Sequence, residues 1–144
     1  MRQKRDRERG AFVTGIGTEI GKTVVSAVLV RALGADYWKP VQSGNLDELD
    51  RERVRSLAAT DGVTFHPEHR LLTRPLSPHA AAAIDGVELN VEEFVLPASE
   101  RSIVVEGAGG LLVPLNRREL MIDLIERLEL PVVLVSRHYL GSIN

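Results

Sequence analysis

Five residues separate Gly15 from the triplet Gly21-Lys22-Thr23, and residues of these types at that spacing suit one chemistry, the gripping of phosphate. Glycines let a backbone wrap an anion closely, and a helix that begins there adds positive potential. An ammonium at Lys22 neutralises phosphate charge, and the Thr23 hydroxyl is of the type that coordinates Mg²⁺. The whole loop reads Thr14-Gly15-Ile16-Gly17-Thr18-Glu19-Ile20-Gly21-Lys22-Thr23. It is a variant of the Walker loop, whose strict form would place glycine where Ile16 stands. The competing reading is a tight turn with an incidental Gly-Lys-Thr. The apolar run before the loop and the apolar helix pattern after it argue against that.

Three further residues could share this chemistry. Lys39 follows Tyr37-Trp38 and precedes Pro40, at the C-terminal end of a strand pattern, which is where parallel α/β sheets place their ligands; an ordinary surface lysine is the alternative. Glu106 follows Ile103-Val104-Val105 and opens the turn Gly107-Ala108-Gly109-Gly110. A carboxylate there can hold Mg²⁺, or can simply brace a glycine turn. Asp50 is taken as a second carboxylate in preference to nearby Asp47, although either can cap the helix that follows. The histidines offer no metal spacing: His66 and His69 fall in a Pro-rich passage and read as solvated loop residues. Ser77-Pro78-His79 reads as a helix start, with or without a ligand at its end.

The elements that must position these residues follow from the hydrophobic pattern. Ala11–Thr14 is a β-branched strand run, Thr23–Leu33 is an almost continuously apolar and hence buried helix, and Gly34 suits a left-handed cap at its end. A second extended run at 36–39 completes a βαβ unit, so the sheet should be parallel, right-handed in its crossover and covered on both faces. Residues 46–60 fit an amphipathic surface helix beginning near Asp47 or Asp50, its charged face solvated. A loop-rich passage runs from Gly62 to Pro78, followed by a short helix over 79–84. Buried strands are expected at 101–106 and 131–136, with an amphipathic helix at 120–128 between them.

Composition narrows the partners. Lys and Arg number 18 against 20 Asp and Glu, a formal charge of −2, so nothing draws the chain to nucleic acid or to an anionic membrane surface. With no cysteine, disulfides and thiol chemistry are excluded, and a cytoplasmic setting is the simplest. No apolar stretch approaches the roughly 20 residues of a spanning helix, and the start lacks a signal-peptide centre. Residues 1–10 read as a disordered tail, and residues 11–144 as one domain.

Taken in order, the loop through Thr23, the run Lys39-Pro40-Val41-Gln42-Ser43-Gly44, then Ser77-Pro78-His79, Glu106-Gly107-Ala108-Gly109-Gly110 and Leu140-Gly141-Ser142-Ile143-Asn144 resemble dethiobiotin synthetase, from about Phe12 to the last residue. The resemblance implies a P-loop NTPase-like α/β fold of three layers with a mainly parallel sheet, and a homodimer. It implies ATP-driven carboxylation and ring closure of 7,8-diaminononanoate with CO₂, a cyclo-ligase reaction of biotin synthesis. By motif position, Glu19, Ile20, Gly21, Lys22, Thr23 and Val24 would grip ATP phosphates, and Thr23, Asp50 and Glu106 would hold Mg²⁺. Lys39 would be catalytic, steadying the carbamate and the transferring phosphoryl group. Ser43 would touch substrate, and Glu106, Gly107, Ala108 and Gly109 would line the nucleotide cleft. Gly141, Ser142, Ile143 and Asn144 would meet the substrate carboxylate across the dimer. The family continues beyond the position of Asn144 into the segments that hold adenine, so the resemblance implies a domain incomplete at that end. Two other readings stand beside it: a partition-type switch ATPase, whose extra loop lysine is absent at Ile16 and Gly17, and an inactive nucleotide-binding remnant.

Overall fold

A computed structural model describes residues 10–142. In chain order the elements are β1 (Gly10–Gly15), α1 (Lys22–Leu33), β2 (Asp36–Trp38), β3 (Val41–Ser43), α2 (Asp50–Ala58), β4 (Phe65–His66), β5 (Arg70–Leu72), α3 (Pro78–Asp85), a 3₁₀ turn (Val91–Glu93), β6 (Ile103–Glu106), α4 (Met121–Leu128) and β7 (Val132–Val135). The tail expected at the start lies outside the described residues except for Gly10, which already pairs with Ile103 as the first residue of β1.

The main sheet has the order β4-β2-β6-β1-β7, and every pairing in it is parallel. Because strand side chains alternate, the inner strands β1, β2 and β6 each serve two cores. Phe12, Trp38, Ile103 and Val105 face Ala81 and Ala82 of α3 and Leu124 and Leu128 of α4. Val13, Tyr37 and Val104 face the other way, against Ala27 and Val30 of α1 and Val54 and Ala58 of α2. The result is the three-layer α/β arrangement expected from the βαβ pattern. Burying each such apolar side chain is worth about 1.5–3 kcal/mol, so the two faces together carry most of the fold's stability.

Helix ends follow local chemistry. Gly34 takes φ 57° and returns its N–H to the carbonyl of Val30, the left-handed cap that its missing Cβ favours. Pro78 occupies the first turn of α3, where a missing N–H is harmless. At the start of α4, the Asp123 carboxylate reaches back to accept the Leu120 N–H at 2.6 Å.

Four expectations need correction. The first helix is buried on one stripe only: Val30 and Ala27 are enclosed, but Val24 and Val28 are 57% and 61% exposed, because they lie on the side of α1 away from the sheet. The last strand is not enclosed as expected: among the described residues its one neighbour is β1, and Val132 and Leu134 are about half exposed. The passage from Gly62 to Pro78 holds β4 and β5, and β5 pairs with β3 in a separate two-stranded parallel sheet. Two- and three-residue strands are too short to show a period. The polar face of α2 is not merely solvated, because Arg51 pairs with the buried Glu68 at 3.4 Å and the Arg55 guanidinium lies 5.0 Å from the centre of the Phe65 ring.

Among the described residues, no helix is long and apolar enough to cross a membrane.

Candidate functional site

The C-terminal ends of β1, β2 and β6 meet at one cleft of about 890 Å³. The loop after β1 forms its floor. Gly21, at φ 107°, turns the chain into α1, and Glu19 stands in the left-handed region at φ 56°. The glycine turn after β6 lies directly on this loop: Leu111 donates its N–H to the Gly15 carbonyl at 2.8 Å. A Cβ at Gly110 would come within 3.2 Å of the Gly17 nitrogen and the Ile16 carbonyl carbon, so a side chain there would press the two stacked loops apart by a few tenths of an ångström.

Lys22 curls back over the loop and donates to the Gly17 carbonyl at 2.7 Å. Among the described residues it makes no ion pair, so its charge remains available to an anion. Burial holds its ammonium pKa below the usual lysine value, the nearby Lys39 charge lowers it further, and Glu106 and Asp50 oppose both.

Glu106 is the hub. It is 1% exposed and sits one residue beyond the last rung that β6 shares with β2. Its Oε1 accepts from Thr23 Oγ1 at 3.1 Å and from Lys39 Nζ at 3.3 Å, while Oε2 accepts from the Tyr37 hydroxyl at 3.0 Å. These donors are side chains from α1 and from the end of β2, so bracing the glycine turn is not the carboxylate's work.

The surface reading of Lys39 also fails, because the residue is 4% exposed. Its ammonium lies 2.8 Å from Asp50 Oδ2 and 3.4 Å from the Gly107 carbonyl. Burial alone would push the Lys39 pKa down. The Glu106 and Asp50 carboxylates outweigh that and hold it above the usual value, so Lys39 is charged. Burial, with the Glu106 and Asp50 charges added, lifts the Tyr37 hydroxyl well above the ordinary tyrosine value and keeps it a donor.

The structure therefore gathers Lys22, Thr23, Lys39, Asp50 and Glu106 around one opening. Asp50, not Asp47, lines it, because Asp50 is the first residue of α2 and sits against Lys39. Glu19, Gly21, Val24, Ser43, Ala108 and Gly109 also line the cleft. Ile20 does not: its side chain is buried under Gly15 in the core beside α1. Gly107 turns its carbonyl to Lys39 and its N–H to the Val13 carbonyl. Gly141 and Ser142 do not line this cleft, and Ile143 and Asn144 lie outside the described residues.

Sequence reasoning gave Tyr37 no role, although its i, i+2 spacing from Lys39 on one extended run places both side chains on the same face. Arg53, Gln42 and the Pro75–Pro78 segment also line the cleft, so the start of α3 does open onto it. His69 is the exposed loop residue expected, 3.5 Å from Glu93 and edge-on to Phe94, whereas His66 belongs to β4 and is largely enclosed, with its Nε2 3.5 Å from Asp36. No cluster of metal-binding type involves either among the described residues.

A hydroxyl and two carboxylates are hard oxygen donors of the kind Mg²⁺ takes. A buried ammonium already held between those carboxylates marks the same spot as one that favours positive charge. Thr23, Asp50 and Glu106 thus fit a divalent cation, and Lys22 with the loop's backbone fits the phosphates beside it.

A family model for an AAA domain matches residues 9–144. The chain is 53% identical over 133 residues to the ATP-dependent dethiobiotin synthetase of Christiangramia forsetii, covering 92% of this chain and 64% of that protein. The enzyme of the same name from Paramagnetospirillum magneticum is 49% identical over 136 residues, covering 94% of this chain and 65% of the relative. That from Bradyrhizobium diazoefficiens is 53% identical over 133 residues, covering 92% and 63%. The chain spans just under two thirds of the length of each.

Proposed function

From the premise that this chain belongs to the AAA-domain family of P-loop proteins, we propose that it serves the ATP-dependent carboxylation and ring closure of 7,8-diaminononanoate with CO₂, giving dethiobiotin, ADP and phosphate. The observation that carries this reading is Lys39, buried between Asp50 and Glu106 beside the phosphate loop. A site that only gripped nucleotide would not need a second buried ammonium there.

In this reading one substrate amine takes up CO₂ with loss of a proton, forming a carbamate. A carbamate oxygen then attacks the γ-phosphorus of ATP, and ADP departs. The second amine attacks the carbamate carbon, and the carbon–oxygen bond breaks to release phosphate as the ureido ring closes.

Lys39 holds the carbamate oxygens and the phosphoryl group together by charge, which matters most where burial lowers the dielectric. Lys22 and the N–H groups of the loop orient the β- and γ-phosphates. Thr23, Asp50 and Glu106 would hold Mg²⁺, which when bound supplies charge neutralisation at the phosphates. Ser43, which also lines the cleft, would contact the substrate. We further propose a cytoplasmic homodimer in which Gly141–Asn144 contact the substrate carboxylate held by the neighbouring subunit.

The test is phosphate release from MgATP with bicarbonate, with and without 7,8-diaminononanoate, with the product identified by mass. Substrate-dependent release with dethiobiotin supports the reading. Release that ignores the diamine would point to a switch ATPase, and nucleotide binding without any turnover would point to a remnant.

A further inference from the structure

Tyr37 is fully enclosed, on the face of β2 that packs toward α1 and α2. A phenylalanine would fill that space equally well, with one polar atom fewer to satisfy. A buried tyrosine hydroxyl needs a partner, and this one has Glu106 Oε2 at 3.0 Å. Tyr37 does not line the cleft, so it reaches the carboxylate from within the protein. The other oxygen, Oε1, is the one shared by Thr23 and Lys39.

We propose that Tyr37 is a positioning residue: by holding Oε2 from the buried side, it fixes the rotation of the Glu106 carboxylate and presents Oε1, beside Thr23 and Asp50, to a divalent cation. The proposal rests on Glu106 being a metal ligand. Its logic is that a carboxylate with free rotation must lose that freedom whenever it binds an ion, whereas one already tethered does not. Hydrogen bonds to metal ligands typically govern metal affinity by about 10- to 100-fold.

The experiment is ATP binding by titration calorimetry, in EDTA and across a Mg²⁺ series, for the wild-type chain, Tyr37→Phe, Glu106→Gln and the double variant. Tyr37→Phe should raise the Mg²⁺ concentration for half-maximal effect about tenfold or more, leave ATP affinity in EDTA essentially unchanged, and keep the melting temperature near wild type. In the Glu106→Gln background, removing the hydroxyl should shift nothing further. An unchanged Mg²⁺ midpoint in Tyr37→Phe overturns the proposal. An equal loss of affinity in EDTA also overturns it, since that is what general packing damage would give. So does an undiminished effect of Tyr37→Phe when Glu106 is already glutamine. If the wild-type chain binds ATP with no Mg²⁺ dependence at all, the metal reading of the site itself falls, and this inference with it.

Discussion

Lys39 Nζ lies 2.8 Å from Asp50 Oδ2, tying the end of β2 to the first residue of α2. The same ammonium is 3.3 Å from Glu106, so one buried cation keeps two carboxylates together. Replacing Lys39 with alanine leaves those carboxylates facing each other without compensation, a situation that typically destabilises by several kcal/mol when the site is fully buried. Lys39→Ala should therefore melt earlier than wild type in EDTA and recover more of its stability than wild type when Mg²⁺ is added. Thermal shift with and without Mg²⁺ checks this. Equal Mg²⁺ responses in the two proteins would mean the carboxylates do not share a cation site.

Turnover and binding should separate at the two lysines. Lys39→Ala should abolish dethiobiotin formation while ATP affinity stays within about threefold, because a residue that acts on the reacting groups affects the chemical step. Lys22→Ala removes a charged contact to phosphate, worth about 1.5–3 kcal/mol, and should weaken ATP binding about tenfold or more. Calorimetry on both variants decides, and matching losses of affinity would refute the division of roles.

Acid stability should report on Asp36. Burial would raise its pKa, but the Ser99 hydroxyl at 2.6 Å, the Thr64 N–H at 2.7 Å and His66 hold it below the ordinary aspartate value. With the native pKa depressed, the stabilisation is complete above the unfolded value of about 3.9 and is lost as pH falls through the native one. Asp36→Asn should be less stable at neutral pH and should show a flatter loss of stability below about pH 4. Urea unfolding over a pH series measures both slopes, and parallel curves would remove Asp36 from the account.

Gly110→Val should damage binding more than stability. Its side chain would press on Ile16 and Gly17, where even a Cβ comes within 3.2 Å. The phosphate loop would be displaced while the sheet beneath it stays intact. The expected result is an ATP affinity lowered several-fold, with a melting temperature that moves by only a few degrees. A collapse of the fold would place Gly110 in the structural core instead.

The phosphate loop, the parallel sheet and the position of Glu106 were legible in the sequence, because each depends on local pattern: an apolar strand, a glycine turn, a helix. β1 and β6 were long enough to show themselves, and β2, though only three residues, was marked by its place directly after a capped helix. β3, β4 and β5 were not, since a run such as Phe65-His66 carries no period. Asp50 could not be separated from Asp47 by composition, because both suit a helix start. Only the burial of Lys39 shows which of the two faces the site. Tyr37 escaped for a related reason: its importance lies in what its hydroxyl meets across the sheet, some seventy residues downstream in Glu106.

The order of the sheet also bears on how the chain assembles. Among the described strands β1 comes first in the chain, yet both of its neighbours come late: Gly10 pairs with Ile103 and Phe12 with Val132. Pairings so distant in sequence are slow to form, because a long loop must close before any contact rewards it. On a ribosome, β1 would emerge and wait with Phe12 and Val13 uncovered until β6 and then β7 arrive. The phosphate loop hangs from the end of that strand and Glu106 from the end of β6, so the nucleotide cleft cannot take shape until a strand some ninety residues later has docked on the first.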